Sequence, residues 1–510
     1  MASLGSKALA SASSLVFLQI ISRLFTFALN QALVRLASPQ TYGIASIQFE
    51  LLLSTILFLS REGVRNALLR STPEPRNVSV AEEIEHYILT SNVALLPTLA
   101  GGPIALMATF AYYASTSPST RSQPYLFPSI FLYGLSAFLE LLAEPLYIRA
   151  QNELRFQIRV KAEGTAVAAK TLVTLAILLI ADPKWSLVAF ALGQLAYGLS
   201  ILVTFVLDGE LPNYWPRKIT RGKHGESHSL YFDPTLLGLS LAMTKQSLVK
   251  HVLTEGDKFM VSRFSPLSDQ GGYALASNYG SLFARVLFQP VEETSRLFFS
   301  KTLSADSLTE PSNVPSSPAA DVRTASSILQ DIVFVEIHFA LLMMSFGPPF
   351  ISTLIPLVLP SRYIQTSAPT ILRAYMFYLP AMALNGVLEA FVSSVSTPQD
   401  LARQSKWMIF FSGLFVLSGI TLGSKMGDVG LVWANVINSV VRAVYCWRYI
   451  EGWFRKRGEI WSGVRSISSG VLGVLLLEAV VLRWSEGRGR GPLILIGIGV
   501  LCLSVFLATW

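Results

Sequence analysis

Long apolar stretches follow one another through almost the whole sequence, and short polar breaks separate them. About 20 apolar residues in a helix cross a hydrocarbon core about 30 Å thick, and a helix pairs its own backbone polar groups. The chain is 52% hydrophobic and only 14% charged, whereas an ordinary soluble domain is about 25% charged. The sequence therefore predicts an all-α polytopic membrane protein with about 14 transmembrane helices. The predicted spans are 8–36, 42–69, 84–113, 126–149, 158–181, 185–207, 234–254, 272–300, 325–357, 366–396, 405–423, 427–450, 462–482 and 491–509.

Two neighbouring spans occur twice in the chain. The second span matches the eighth at a shift of 231 positions, and the first matches the seventh at a shift of 227 positions. The repeat restarts after six helices, an even number, so both copies cross the membrane in the same direction. This predicts two parallel six-helix lobes around a central cavity. The predicted parts are an N-lobe at 1–207, a cytoplasmic inter-lobe loop at 208–233, a C-lobe at 234–450 and two extra C-terminal spans at 451–510. The matching residues are Tyr42, Ala45, Ser46, Glu62 and Arg65 with Tyr273, Ala276, Ser277, Glu293 and Arg296.

Charges in the loops indicate an orientation. Lys and Arg are more frequent in the loops on the side of the N-terminus, for example at Arg155, Arg159 and Lys161. Because such loops stay in the cytoplasm, both termini are predicted to be cytoplasmic. The formal net charge of +8 then reflects topology, and without a basic RNA-binding motif we expect no nucleic-acid partner. The polar composition of the 208–233 loop favours a solvated tether that lets the lobes rock.

The sequence contains no recognisable metal or nucleotide motif. His224 and His228 are four positions apart in the inter-lobe loop, but no third ligand lies nearby. The two cysteines, Cys446 and Cys502, both fall in predicted spans, and no G-x-x-x-x-G-K-[ST] pattern occurs. We therefore expect no metal site and no cofactor.

Basic residues inside the predicted spans suggest a function. Each costs roughly 2.5–3.5 kcal/mol at the centre of a membrane helix, and less near an interface. Acidic residues in the spans, including Glu140, Glu144 and Glu389, make salt bridges between helices the alternative explanation. The basic residues inside the spans and away from their ends are Arg23, Arg61, Arg65, Lys170, Lys245, Lys250, Arg285, Arg296, Arg373, Arg442 and Arg465.

Spacing along each helix separates these cations into two groups. Arg65 and Arg296 each follow an acid within one helical turn, Glu62 and Glu293, which favours a structural role for those pairs. In the eighth span, Arg285, Gln289, Glu292 and Arg296 share one helical face.

The second group consists of Arg23, Lys250 and Arg442, which have no acid within four residues on their own helices. These are the better candidates for holding an anion. Arg offers paired donors and Lys a compact charge, so a phosphate-bearing ligand surrounded by membrane lipids is predicted.

The segment from Leu253 to Lys258 places two acids and a base at a predicted membrane boundary. This segment, which includes Glu255, is predicted to act as a gate that pairs with Arg35 or Arg61 in one conformation and releases it in the other.

Five strings resemble the Rft family of eukaryotic endoplasmic-reticulum proteins, which is associated with translocating the dolichol-diphosphate-linked mannose oligosaccharide of N-glycosylation. They occur in the family's order and cover nearly the whole chain. The strings are QIISRLFTFALNQALVR (19–35), FELLLSTILFLSREGVRNALLR (49–70), LLAEPLYIRAQ (141–151), LTEGDKFMVSRF (253–264) and LFQPVEETSRLFF (287–299).

The resemblance implies a member of the multidrug/oligosaccharidyl-lipid/polysaccharide exporter superfamily that moves the lipid across the endoplasmic-reticulum membrane by alternating access. It implies dolichol-diphosphate oligosaccharide as the partner, and contact with the glycosylation machinery is a further expectation. Asp257 and Lys258 depart from the Glu-Arg pair common in the family. The residues that fall in the family's charged motifs are Arg35, Arg61, Arg65, Glu255, Arg285, Glu293 and Arg442.

Other functions share part of this pattern. A non-transporting receptor or chaperone for the lipid-linked oligosaccharide needs the same anion-binding residues. A cation-coupled drug exporter would use carboxylates at mid-span, for which Glu140, Glu144 and Glu389 are candidates. A membrane glycosyltransferase needs acids at a luminal face, but the predicted luminal loops are short and contain no Asp-x-Asp.

Overall fold

The computed structural model describes residues 28–70, 80–153, 155–208, 214–223, 226–303 and 318–463, with scattered positions beyond 472. These residues form two compact units, which divide between Gly271 and Gly272. We call Ala28–Gly271 the first unit and the described residues from Gly272 onward the second unit.

The first unit is a bundle of helices. After a helix at 28–36, Ser38 caps the next helix by accepting a hydrogen bond from the Thr41 backbone N–H. Pro39 follows, where its fixed φ and missing N–H suit the first turn. The helices and helical turns of this unit are Pro39–Gly43, Ile44–Phe49, Glu50–Leu57, Phe58–Glu62, Gly63–Arg70, Val80–Ala94, Leu96–Ser115, Pro118–Arg121, Leu126–Leu142, Glu144–Asn152, Phe156–Ile180, Pro183–Trp185, Ser186–Asp208 and Pro234–Phe264.

The second unit is also helical in its described part. Its longest helix, Pro318–Val358, tolerates three internal prolines at positions 348, 349 and 356. The helices are Leu267–Phe283, in which the unit begins, and Ala284–Phe288, Gln289–Thr302, Pro318–Val358, Ser361–Ile364, Ala368–Val395, Pro398–Met426 and Asp428–Arg455.

A short hairpin interrupts the helical pattern between Asp208 and Pro234. Its strands, Ile219–Lys223 and Glu226–Leu230, pair antiparallel with Ile219 opposite Leu230. The hairpin lies in the segment that the composition predicted to be a solvated tether.

Nine helices of the described part are long and apolar enough to cross a membrane. They coincide within a few residues with nine of the predicted spans, and the more polar predicted spans at 234–254 and 272–300 are helical too. The first predicted span is described only from residue 28, and 462–482 and 491–509 lie mostly outside the described residues. The all-α polytopic fold is confirmed, whereas the number of 14 helices stays a prediction.

Apolar side chains at helical spacing form the interior of each unit. Ile56, Ile130 and Leu141 are fully buried in one cluster of the first unit, and Phe391 and Phe454 are fully buried in a cluster of the second. Many other apolar side chains are exposed at positions that a lipid environment would cover.

The helix Pro234–Phe264 packs closely against the second predicted span within the first unit. A Cβ on Gly63 would lie 1.9 Å from Thr244 Oγ1 and 2.8 Å from the Ser240 carbonyl oxygen, so only glycine permits this approach.

The boundary between the compact units differs from the predicted boundary between the lobes. The compact units divide after Gly271, whereas the C-lobe predicted from the repeat begins at 234. Packing does not determine which helices arose by duplication, so the lobe boundaries stay a prediction.

Candidate functional site

The charged helix of the first unit contains two wide, π-helical turns. Ile44–Phe49 and Phe58–Glu62 each follow this geometry within one helical run from Pro39 to Arg70. Such turns shift the direction in which later side chains project and occur often at functional sites. Arg61 lies in the second wide turn and Arg65 one turn after it.

Both arginines lie near carboxylates from the neighbouring helices. The helix Leu126–Leu142 stops at Ala143, and Glu144 and Pro145 open the next helix. Proline suits this first turn but cannot continue the preceding helix. The break places the Glu144 carboxylate, which is 1% exposed, beside the two arginines.

Arg65 is held firmly by Glu144. Its Nε and Nη2 donate to Glu144 Oε1 and Oε2, each at 2.5 Å. The guanidinium carbon also lies 3.9 Å from the centre of the Tyr147 ring. Two parallel hydrogen bonds and an aromatic contact fix this side chain in orientation as well as position.

Arg61 is held more loosely. Its Nη1 lies 3.7 Å from Glu140 Oε2 and 3.7 Å from Glu144 Oε2, which is attraction without a close hydrogen bond. Glu140 has a second contact, because the Gln194 amide donates to its Oε1 at 3.2 Å. Arg61 is therefore the cation of this cluster that exchanges its partner at the lower cost.

The second unit contains a comparable cross-helix pair. Arg442 Nη2 donates to Glu389 Oε2 at 2.5 Å, and the Asn385 amide donates to the same oxygen at 3.2 Å. The side chains of Arg442 and Glu389 are 31% and 26% exposed. Both side chains are therefore partly accessible at the surface of the second unit.

The remaining predicted residues of the second unit lie on the helical run that includes Ala284–Phe288 and Gln289–Thr302. Arg285 is exposed in the π-helical turn and donates to Ser281 Oγ at 2.8 Å. Glu293 accepts from the Gln289 amide at 2.8 Å. Arg296 pairs with Glu292 at 2.7 Å, one turn earlier, and not with the predicted Glu293.

The predicted gate residue Glu255 pairs with a neighbour on its own helix. Lys258 Nζ lies 2.9 Å from Glu255 Oε2. Arg35 is exposed on the 28–36 helix, and the exchange of Glu255 with Arg35 or Arg61 stays a prediction. Arg23 and the side chain of Lys250 lie outside the described residues.

Several polar contacts of the first unit were not predicted. Gln194 was not singled out, and neither was the pair of Lys170 with Glu50, whose Nζ and Oε1 are 2.8 Å apart. An acid, amide or base inside an apolar span indicates that the residue needs a polar partner. A single sequence does not indicate which helices pack together, so the partner could not be named.

Pairing with carboxylates lowers the cost of placing these cations in a membrane. A charge is expensive in an apolar medium unless it is paired and hydrogen-bonded. The pairs of Arg61 and Arg442 leave both guanidinium groups partly exposed. An incoming phosphate offers the same two-oxygen geometry as a carboxylate, with more charge.

Known proteins resemble this chain over most of its length. Among proteins similar to this chain is the Man(5)GlcNAc(2)-PP-dolichol translocation protein RFT1 of Schizosaccharomyces pombe, 35% identical over 86% of this chain and 81% of its own length. The proteins of the same name in Eremothecium gossypii and Mus musculus are 32% and 29% identical, over 94% and 98% of this chain and 89% and 93% of their own.

Two solved structures share the fold at low sequence identity. One is the lipid II flippase MurJ in an inward closed conformation, with a TM-score of 0.61, 14% identity and coverage of 97% of this chain and 98% of that one. The other is an inward-facing MATE family transporter of the MOP superfamily, with a TM-score of 0.51, 11% identity and coverage of 84% and 97%. A model of the Rft protein family matches residues 7–510. The resemblance in the five strings is thus confirmed, and the chain belongs to the Rft protein family.

Proposed function

We propose that this protein transfers the dolichol-diphosphate-linked mannose oligosaccharide from the cytosolic to the luminal leaflet of the endoplasmic-reticulum membrane, for protein N-glycosylation. The observation that carries the proposal is the match over most of the chain to relatives named as translocation proteins for this lipid. The fold, which resembles that of a flippase and of an exporter, supports a transporter.

The task of such a protein is to lower an electrostatic barrier. A diphosphate and a polar glycan must pass a medium in which one charge already costs several kcal/mol, roughly 2.5–3.5 on insertion scales. The polyisoprenoid tail remains in lipid throughout. Side chains that replace water around the diphosphate therefore accelerate the passage.

In this proposal Arg61 and Arg442 bind the phosphates. Their carboxylate partners, Glu140 and Glu389, act as counterions that the diphosphate displaces and that re-pair after release. Arg65 is a positioning residue, because its two hydrogen bonds to Glu144 hold in place the helical run that also contains Arg61. The other members of the proposed set are Arg23, Arg35, Lys250, Glu255, Arg285, Glu293 and Arg296.

Alternating access is the proposed mechanism, with both termini in the cytoplasm and the lobes as predicted from the repeat. Consumption of the lipid in the lumen would pull the transfer forward. Contact with the glycosylation machinery of the same membrane is part of the proposal.

The test is reconstitution of the purified full chain in sealed vesicles with the mannosylated diphosphate lipid. A mannose-binding lectin outside the vesicles scores how fast lipid from the inner leaflet becomes accessible. The expected result is faster exchange with wild type than in protein-free vesicles. Arg121→Gln is a matched control, because this exposed cation contacts Tyr113 away from the proposed set.

A second measurement, binding of the lipid to the protein in detergent, separates transport from capture. Binding with no acceleration of exchange contradicts the proposal and selects the receptor function. If Arg61→Ala accelerates exchange over protein-free vesicles as much as wild type and Arg121→Gln do, transport is supported. The role given to Arg61 is then contradicted.

A further inference from the structure

The connector between Asp208 and Pro234 is fastened to the first unit by one buried side chain. Asn92, which is 2% exposed, donates to the backbone carbonyls of Arg217 at 2.7 Å and of Tyr231 at 2.5 Å. Its Oδ1 accepts from the Arg217 N–H at 2.9 Å. These three bonds hold the segments before and after the hairpin side by side, where the composition predicted a free tether.

Two aromatic residues add to this attachment. The Tyr214 hydroxyl donates to the carbonyl of Leu142 at 3.0 Å, and Leu142 is the last residue of the helix Leu126–Leu142. Side chains often satisfy the carbonyls at a helix end. Partial burial raises the pKa of Tyr214 above its ordinary value. Phe232 packs against a cluster that contains Leu68 and Val93.

The fastened segment presents aromatic and basic side chains outward. Trp215 is 77% exposed and Tyr231 is 47% exposed, and Arg217 and Lys218 are exposed beside them. From Leu211 to Gly225 the sequence contains Arg217, Lys218, Arg221 and Lys223 but no Asp or Glu. The cations are well solvated in water, but the apolar surface of the Trp215 ring would gain from leaving it.

The connector also lies at the edge of the membrane-spanning part. It follows the span Pro183–Asp208 directly and leads into the helix Pro234–Phe264. Trp and Tyr prefer the headgroup region of a bilayer, and anionic lipids attract basic residues near the surface.

We infer that residues 214–218, held by Asn92, form a binding surface for the headgroups of anionic phospholipids. Trp215 inserts at headgroup level, and Arg217 and Lys218 contact lipid phosphates. The surface belongs to one unit and is separate from the cations of the proposed transport function, so either proposal can fail without the other.

The test places the full chain in nanodiscs of pure phosphatidylcholine and in nanodiscs with phosphatidylserine added, and measures hydrogen exchange of the connector amides. We expect exchange in the 214–218 segment to slow at least about fivefold in the anionic discs, since each basic side chain near an anionic surface contributes about that factor. High salt, which shortens the screening length to about 3 Å at 1 M, should abolish the difference.

Three variants make the test specific. Arg217→Gln with Lys218→Gln should bring the ratio of exchange rates in the two discs close to that of an uncharged segment, and Trp215→Ala should lower it. Arg455→Gln with Lys456→Gln removes two exposed cations elsewhere and should leave the ratio unchanged. All of these side chains are exposed, so folding should be preserved. Equal exchange of wild type in both discs, or full protection in the Arg217/Lys218 variant, overturns the inference.

Discussion

Arg442 and Glu389 are 53 positions apart in the sequence, yet they form an ion pair of 2.5 Å between two packed helices. Nothing within four residues on the helix of Arg442 neutralises it, which is why the sequence predicted an anion-binding role. The structure supplies the counterion from the helix Ala368–Val395. Arg442 can pair with Glu389 at rest and still bind a ligand during transport. Variants of the two residues test whether Arg442 does more than neutralise Glu389.

Removing Arg442 should reduce transport even when its partner is neutralised. We expect Arg442→Ala to slow leaflet exchange at least about tenfold, equivalent to about 1.4 kcal/mol of barrier. The double variant with Glu389→Gln should recover thermal stability, because no carboxylate is then left unpaired, but it should not recover exchange. Recovery of exchange in the double variant would show that Arg442 only neutralises Glu389.

Arg65 and Arg61 should differ in their effects on stability. Arg65→Ala leaves Glu144 almost fully buried without its bidentate partner, which should cost about 3–5 kcal/mol. Arg61→Ala should cost only about 1 kcal/mol, because Glu140 and Glu144 keep their hydrogen bonds to Gln194 and Arg65.

Thermal unfolding in detergent measures this difference between the two arginines. Arg65→Lys should recover only part of the loss, because an ammonium does not reproduce the paired donors. A larger destabilisation by Arg61→Ala than by Arg65→Ala would contradict the assignment of Arg65 as the positioning residue.

The close approach of two backbones at Gly271 should be intolerant of a methyl group. A Cβ there would lie 2.0 Å from the carbonyl oxygen of Pro39 and 2.7 Å from its carbonyl carbon. Because the obstacle is backbone, Gly271→Ala should destabilise the protein by about 1–3 kcal/mol. Gly238→Ala is the matched control: it is helical, has no atom within 4 Å of its Cβ position, and should stabilise by about 0.5–1 kcal/mol. Equal melting temperatures for the two variants would refute this packing argument.

The start of the helix Pro398–Met426 should make stability depend on pH. Hydrogen bonds from Thr397 lower the pKa of Asp400, and Tyr449 donates to the same carboxylate at 3.1 Å. A lowered folded-state pKa stabilises the fold above the ordinary Asp pKa of about 3.9, and this stabilisation is lost as the pH falls through the lower folded value. Because Asp400 is partly exposed and solvent screens its interactions, Asp400→Asn should cost less than about 1 kcal/mol at neutral pH, with a gap from wild type that closes below about pH 4. A gap that stays constant between neutral and acid pH would contradict the prediction.

Helix positions were predictable because the composition of each span reflects the apolar surroundings of that span. Apolar runs, and caps such as Ser38 before Pro39, mark where helices cross and where they begin. The same local information predicted a pair of Glu293 with Arg296, and this was wrong, because Arg296 pairs with Glu292 on the same helix.

Contacts between helices were not predictable, because the helical period gives the face of a residue and not the neighbour of that face. Glu144 meets Arg65, and Asn92 meets the connector, only after the bundle has packed. The buried amide pair of Gln48 and Gln270, with 2.7 Å between its donor and acceptor, is a further example. A comparison of many related sequences would supply the missing pairwise signal.

The central claim is that cations of this chain carry a diphosphate lipid across the bilayer. The most direct measurement compares, in the same vesicles, the leaflet exchange of the mannosylated diphosphate lipid with that of a lipid bearing the same glycan and no phosphate. The account predicts that the wild-type protein accelerates the first far more than the second, and that Arg442→Ala removes the difference. Equal acceleration of both lipids, or none of either, would contradict it.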